Sequence, residues 1–262
     1  MLNVIRLDYL LLWRNRMAVF SVVGVPLFFA VSLTVGDQGG VTTAGLPVPL
    51  YAATGDIGFF LLAAVLFNLA SALTARREER TLRRLRTSAL SDREILGASM
   101  LGAGLLYTVQ AGAIMVVIVA GLDGGAPRDV PLLLTGMALG VVVFSLLALA
   151  LSGLTPNAEA IQWTAAPILL VSIAASGFLF PLDGLPEAVR QTAGAMPLTP
   201  VVEITRTAWL GRDYTTGGGR DALGSAGAWA ACAIPLLTLL AWTGLGALMA
   251  RRWFRWEPRR DG

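Results

Sequence analysis

Apolar residues along the chain gather into six long runs, at 17–35, 58–75, 95–122, 131–154, 161–180 and 226–250, separated by shorter polar stretches. Each is close to the ~20 apolar residues that a helix needs to cross a bilayer. Only the third and sixth are noticeably longer, so they are expected to tilt or to extend beyond the hydrocarbon. Ahead of the first run, residues 1–16 place Leu2, Ile5, Tyr9, Leu12 and Trp13 on one side at helical spacing, with Asn3, Arg6, Arg14 and Arg16 around them. This stretch reads either as an interfacial helix lying on the membrane or as the wet start of the first span. No small-x-small site closes the first apolar run, so no cleavable signal is expected.

The polar connections are unequal. Residues 36–57 and 123–130 read as turns of Gly, Pro and Asp. The turn at 155–159 is short, and its Pro156 and Asn157 stop one helix and can cap the next. Residues 181–225 are too many for a simple loop. Pro186 and Pro200 each suit the first position of a helix, the second with Thr199 as cap. The two helices, about 186–196 and 200–210, would be too short to cross a bilayer. They carry Val189, Met196, Val201, Val202, Ile204, Trp209 and Leu210, which need cover, so a re-entrant hairpin protected by neighbouring helices is expected.

Composition supports this pattern. The chain is 55% hydrophobic and 14% charged, with a mean hydropathy of +0.68, whereas a soluble domain is about 25% charged. All of its basic residues are arginine, which, with abundant Ala, Gly, Val and Leu, suggests a GC-rich bacterial genome. Without lysine there is no phosphate-binding G-x-x-x-x-G-K-[ST] loop, so the chain is not read as an ATPase or other enzyme. Without histidine, and with Cys232 alone, no metal site and no intrachain disulfide are expected. Arginine also votes on orientation. Arg6, Arg14, Arg16, the seven arginines of 76–93, and Arg251, Arg252, Arg255, Arg259 and Arg260 fall on one side of the six-span arrangement; Arg128, Arg190, Arg206, Arg212 and Arg220 fall on the other. Both termini are expected in the cytoplasm.

Within the spans, Pro167 and Pro235 should kink their helices, and Gly136 with Gly140 is a weak close-packing motif. Asn68 and Gln110 are lone intramembrane amides, each read as an interhelical hydrogen bond or as part of a substrate path. No series of acids crosses the membrane, which argues against a proton-driven pump.

The charged island at 76–94 is the most ordered polar stretch, with seven arginines and four acids between two apolar runs. Glu79 and Arg83 stand four apart, Leu82 and Leu85 three apart, and Ser91-Asp92-Arg93-Glu94 has the form of a capping box. A helix, a break and a freshly capped helix follow from that spacing. A docking surface for a soluble partner and a plain topology signal both fit the residues, whereas a lipid-headgroup site would want bases without the acids.

The island resembles the cytosolic loop between the second and third spans of type-2 ABC (ATP-binding cassette) exporter permeases, whose usual form is a Glu-Arg-Glu-x-Gly-Thr-Leu-Glu-type helix. Here Glu78-Glu79-Arg80-Thr81-Leu82 matches it, with Arg80 where Gly is common and Arg83 where Glu is common. A second likeness lies in Leu154-Thr155-Pro156-Asn157-Ala158-Glu159-Ala160, in Ser176-Gly177-Phe178-Leu179-Phe180-Pro181-Leu182-Asp183-Gly184-Leu185-Pro186, and in Pro197-Leu198-Thr199-Pro200. It is similar above all to drug- and antibiotic-efflux permeases of actinobacteria.

The resemblance implies an all-α polytopic membrane protein with a single transmembrane domain of six helices over 1–262. Residues 1–16 would be a connecting helix (Arg6, Asp8, Trp13, Arg14). Residues 76–94 would be a cytoplasmic coupling loop (Glu78, Glu79, Arg80, Thr81, Leu82, Arg83, Leu85, Arg86). Residues 181–225 would hold the outer re-entrant hairpin (Phe180, Pro181, Asp183, Pro186, Pro197, Pro200), and 251–262 a cytoplasmic tail. It further implies a homodimer in the bacterial cell membrane that binds two copies of an ATP-binding subunit. ATP and Mg would sit on that subunit and none on this chain, and a lipophilic drug, antibiotic or lipid would be exported. A secondary transporter would instead show inverted repeats and midplane ionisable residues. An integral-membrane lipid enzyme would need an acid-base constellation near the headgroups.

Overall fold

The computed structural model describes residues 24, 28–29, 31–32, 40, 45–79, 91–177, 186–216, 219, 221–254 and 256. Outside them lie the connecting-helix residues Arg6, Asp8, Trp13 and Arg14, most of the run at 17–35, the loop residues Arg80, Thr81, Leu82, Arg83, Leu85 and Arg86, and Phe180, Pro181 and Asp183. The described residues form helices and no strand beyond a single bridge between Arg212 and Ala222. Four of these helical stretches are long and apolar enough to cross a membrane.

The first is Val48–Glu78, 31 residues long. It comprises α1 (Val48–Phe60), a π-helical segment (Leu61–Phe67) and α2 (Asn68–Glu78). Ten of its residues were expected in a loop at 36–57. Pro49 sits in the first helical turn, where its missing N–H goes unused. The Gly and Asp that look like breakers at 55–56 are instead buried against other helices, so tertiary packing overrides local propensity.

The next two spans are α3 (Asp92–Gly121) and α4 (Val130–Leu154). The capping box expected at the head of α3 is present. Ser91 Oγ accepts from the Glu94 amide at 3.3 Å, and Glu94 Oε2 accepts from the Ser91 amide at 2.8 Å. α4 is the central helix, packed by α2, the π-helical segment and the helical stretches Leu198–Leu210 and Ala233–Trp253. Close packing at Gly136 and Gly140 makes this possible. A methyl at Gly136 would stand 2.6 Å from Ile204 Cγ2, and one at Gly140 2.6 Å from Leu61 Cδ1.

The fifth apolar run yields α5 (Ala160–Ala175), 16 residues long and shorter than the expected 161–180. Gly177, at φ 65°, takes the left-handed conformation that closes a helix. Two short helices follow, α6 (Glu187–Gly194) and α7 (Leu198–Leu210). Their caps differ from expectation. Pro186 and Pro197 stand just before the helices, and Pro200 is the third residue of the second, still within the first turn where a free N–H is not needed. Thr199 does not cap α7; its hydroxyl donates to the carbonyls of Ala193 at 2.6 Å and Ala175 at 3.1 Å, tying the helix pair to α5.

The sixth run is broken rather than kinked, into α8 (Ser225–Ala231) and the fourth span α9 (Ala233–Trp253). The cause is Pro235, which offers no N–H to the Ala231 carbonyl and whose ring crowds it. Cys232 lies at the break, buried as a packing residue. Leu101, Leu105, Val109 and Val116 on α3, and Ile234, Leu237 and Leu248 on α9, form exposed apolar stripes at helical spacing. A lipid surround is the environment that such stripes require.

Candidate functional site

Two buried arginines organise opposite ends of the bundle. At the first, α2 ends in Arg76-Arg77-Glu78 as the chain enters the charged island. Arg77 is 1% exposed, and its Nη1 donates to the Ser152 carbonyl at 2.7 Å. Its Nη2 donates to the carbonyls of Thr155 at 2.5 Å and Pro156 at 3.2 Å. These carbonyls belong to the last turn of α4 and the residues just after it, which helix geometry leaves without an intrahelical donor. A guanidinium there also complements the negative end of the helix dipole.

Three further contacts make this end a junction. Glu78 Oε1 accepts from the Ala158 amide at 3.2 Å, Arg76 Nη1 donates to Ser99 Oγ on α3 at 3.0 Å, and Asn157 Oδ1 accepts from the Ala160 amide at 2.8 Å to start α5. Gly153 completes it by close approach, because a methyl there would fall 1.8 Å from the Trp253 carbonyl oxygen of α9. The end of α2 is thereby fixed to the end of α4 and the start of α5, and the far end of the island is fixed by the Ser91–Glu94 cap.

At the other end, Arg206 of α7 is 5% exposed. It donates to Thr54 Oγ1 at 3.3 Å, to the Gly177 carbonyl at 2.9 Å and to the Tyr51 carbonyl at 3.1 Å. Its guanidinium carbon lies 3.6 Å from the centre of the Tyr51 ring, within the range of cation–π attraction. The Tyr51 hydroxyl donates to the same Gly177 carbonyl at 2.7 Å. α1, α5 and α7 are therefore clamped together at this one residue. Nearby, Asp129 caps α4 through the Leu132 amide at 2.9 Å and accepts from Ser225 Oγ at 2.6 Å, and Trp209 Nε1 donates to the Gly124 carbonyl at 3.2 Å. In the loop beyond α7, burial alone would raise the Asp213 carboxyl, but hydrogen bonds from Thr215 and Thr216 outweigh it and hold the group below its ordinary value.

A sequence profile described as "ABC-2 family transporter protein" matches residues 48–248, from the first residue of α1 to within the last turns of α9. The chain belongs to that family. It is also 24% identical over 219 residues to Nodulation protein J of Sinorhizobium fredii (strain NBRC 101917 / NGR234), covering 78% of this chain and 82% of that protein. An ABC-2 protein is the membrane component of an ABC transporter, which transports rather than catalyses and implies an ATP-binding partner.

In this ABC-2 permease the expected site residues divide. Glu78 and Glu79 close α2, and Glu78 bonds across to 158. Pro186, Pro197 and Pro200 flank or enter the two short helices. Gln110 is buried on α3 at 3% exposure, whereas Asn68 is exposed on α2, so the two amides do not share one environment. Four residues that sequence reasoning passed over are central to the geometry. Arg77 stood among similar arginines with nothing in the spacing to single it out; Tyr51 and Thr54 fell in an expected loop; and Arg206, within the expected helix at 200–210, was counted only as a charge on the outer side.

Proposed function

We propose that this chain is the permease subunit of an ATP-driven exporter, with six spans, both termini cytoplasmic and the 76–94 loop as its coupling element. The observation that carries the reading is the junction of Arg77 and Glu78 with the 152–158 segment. A force applied to the 76–94 loop by a soluble subunit would reach α4 and α5 through short hydrogen bonds instead of being lost in a slack connection. Two copies of the chain form the pathway, and each docks one ATP-binding subunit in the bacterial cell membrane. ATP and Mg are held by those subunits. Closure of the partner pair favours one orientation of the permease, and this differential binding shifts the population between inward- and outward-open states. Residues 186–210 form the outer hairpin, and a lipophilic drug, antibiotic or lipid-like molecule crosses between the apolar helix faces.

The test is to purify the tagged chain in mild detergent from its native host and quantify what accompanies it. A nucleotide-binding subunit near one-to-one with the wild-type chain, lost in Arg83→Glu/Arg86→Glu, is the expected result. A chain that comes alone in both forms overturns the docking assignment.

A further inference from the structure

Asp56 lies in the first span at 1% exposure, and among the described residues its Oδ2 has no hydrogen-bond donor. Roughly 30 Å of helix separates it from Arg77, taking 1.5 Å per residue. With Arg77 at one membrane boundary, the carboxyl falls near the other edge of the hydrocarbon. A lone acid in such a place is costly, and function is the default explanation for its presence.

Its neighbours on the helix surface suggest what it serves. Thr54 bonds Arg206, and Gly58 packs on Val202, so both face α7. Asp56 is two residues from each, about 200° around the helix, and therefore belongs to the opposite side. Phe59 and Phe60 follow it at three and four residues, which sets them one turn along on that side. There they meet Phe29. Ring centroids are 5.3 Å apart for Phe29–Phe59, 5.9 Å for Phe29–Phe60 and 5.9 Å for Phe59–Phe60. An acid whose Oδ2 lacks a donor among the described residues, at the membrane edge with three phenyl rings one turn deeper, is a complementary environment for a positive charge attached to an apolar body. The carboxylate neutralises the charge, and the ring faces attract it and cover the rest.

We propose that Asp56 with Phe29, Phe59 and Phe60 forms a recognition site for lipophilic organic cations. This rests on the reading that the chain carries a lipophilic substrate, and narrows it to cationic ones. In the structure the carboxyl is closed off, so loading requires the helices packed around the first span to part.

The test is equilibrium binding of radiolabelled tetraphenylphosphonium to the purified full chain without any ATP-binding subunit. Tetraphenylsilane, its neutral counterpart, serves as competitor, and thermal unfolding is the folding control. Saturable binding by the wild type, at least tenfold weaker in Asp56→Asn, largely retained in Asp56→Glu and hardly displaced by the neutral compound, is expected. No saturable binding to the folded wild type, equal affinity in Asp56→Asn, or equal competition by tetraphenylsilane overturns the site. The last readout uses the wild type alone, so a poorly folding variant leaves the proposal open to refutation. A chain that still retains its ATP-binding partner while failing to bind the cation sinks this site and leaves the exporter reading standing.

Discussion

Arg77 and Arg206 solve the same problem at opposite ends of the bundle, and they differ in how much depends on each. Both bring a guanidinium to buried backbone carbonyls, Arg77 to those at the end of α4 and Arg206 to Gly177 just past α5 and Tyr51 near the start of α1, where water is scarce and unpaired acceptors are costly. Arg77 serves three carbonyls of one segment, those of Ser152, Thr155 and Pro156. Arg206 shares its load. The Gly177 carbonyl also receives the Tyr51 hydroxyl, and Thr54 Oγ1 itself donates to the carbonyls of Leu50 and Tyr51. Replacing Arg206 leaves its partners partly satisfied, and replacing Arg77 strands its own. The carbonyls at the end of α4 thus share Arg77 as their donor, whereas those of the clamp at the other end draw on several donors.

This difference orders the expected effects. Arg77→Met should be the most damaging, by about 3 kcal/mol, because buried carbonyls left without donors cost roughly 1–3 kcal/mol each. Thermal unfolding of the purified chain measures it, and a loss smaller than that of Arg206→Met would reverse the comparison. Gly153→Ala attacks the same end by another route, driving a methyl into the Trp253 carbonyl. About 2 kcal/mol is expected from forced overpacking, read from the same unfolding curves. Arg206→Met should cost about 1–2 kcal/mol, since the tyrosine and threonine bonds remain; adding Tyr51→Phe should then cost more than the sum of the two single changes, because the Gly177 carbonyl loses both donors. Thr199→Val sharpens the picture least, removing the bonds to Ala193 and Ala175 for about 1 kcal/mol. It is checked by faster proteolysis within 186–210 with little change in the global midpoint.

Much of this was legible from residue order. The long apolar runs at 131–154 and 95–122 emerged as α4 and α3 within a few residues, because periodicity and length suffice where a helix is apolar throughout. The Ser91–Glu94 box and the Asn157 cap were legible too, being local interactions spelled out over four residues. What escaped was tertiary. Gly55 and Asp56 read as a turn until α3 and α7 bury the helix that holds them, and no spacing rule singles out Arg77 among the arginines of 76–93. Pro235 announced a disturbance, but the structure places the break three residues earlier, at Cys232. The π-helical turn at Leu61–Phe67 had no cue in an unbroken apolar run.

We propose that the arginine-rich end, and not the Arg206 end, meets the ATP-binding subunit. Site-specific photo-crosslinking tests it most directly, with a benzophenone amino acid at position 83 in one chain and at position 212 in another, adducts being identified by mass spectrometry from native membranes. The account predicts an adduct to a nucleotide-binding subunit from position 83 and none from position 212. An adduct from 212, or none from 83 in a chain that is folded and inserted, would contradict it.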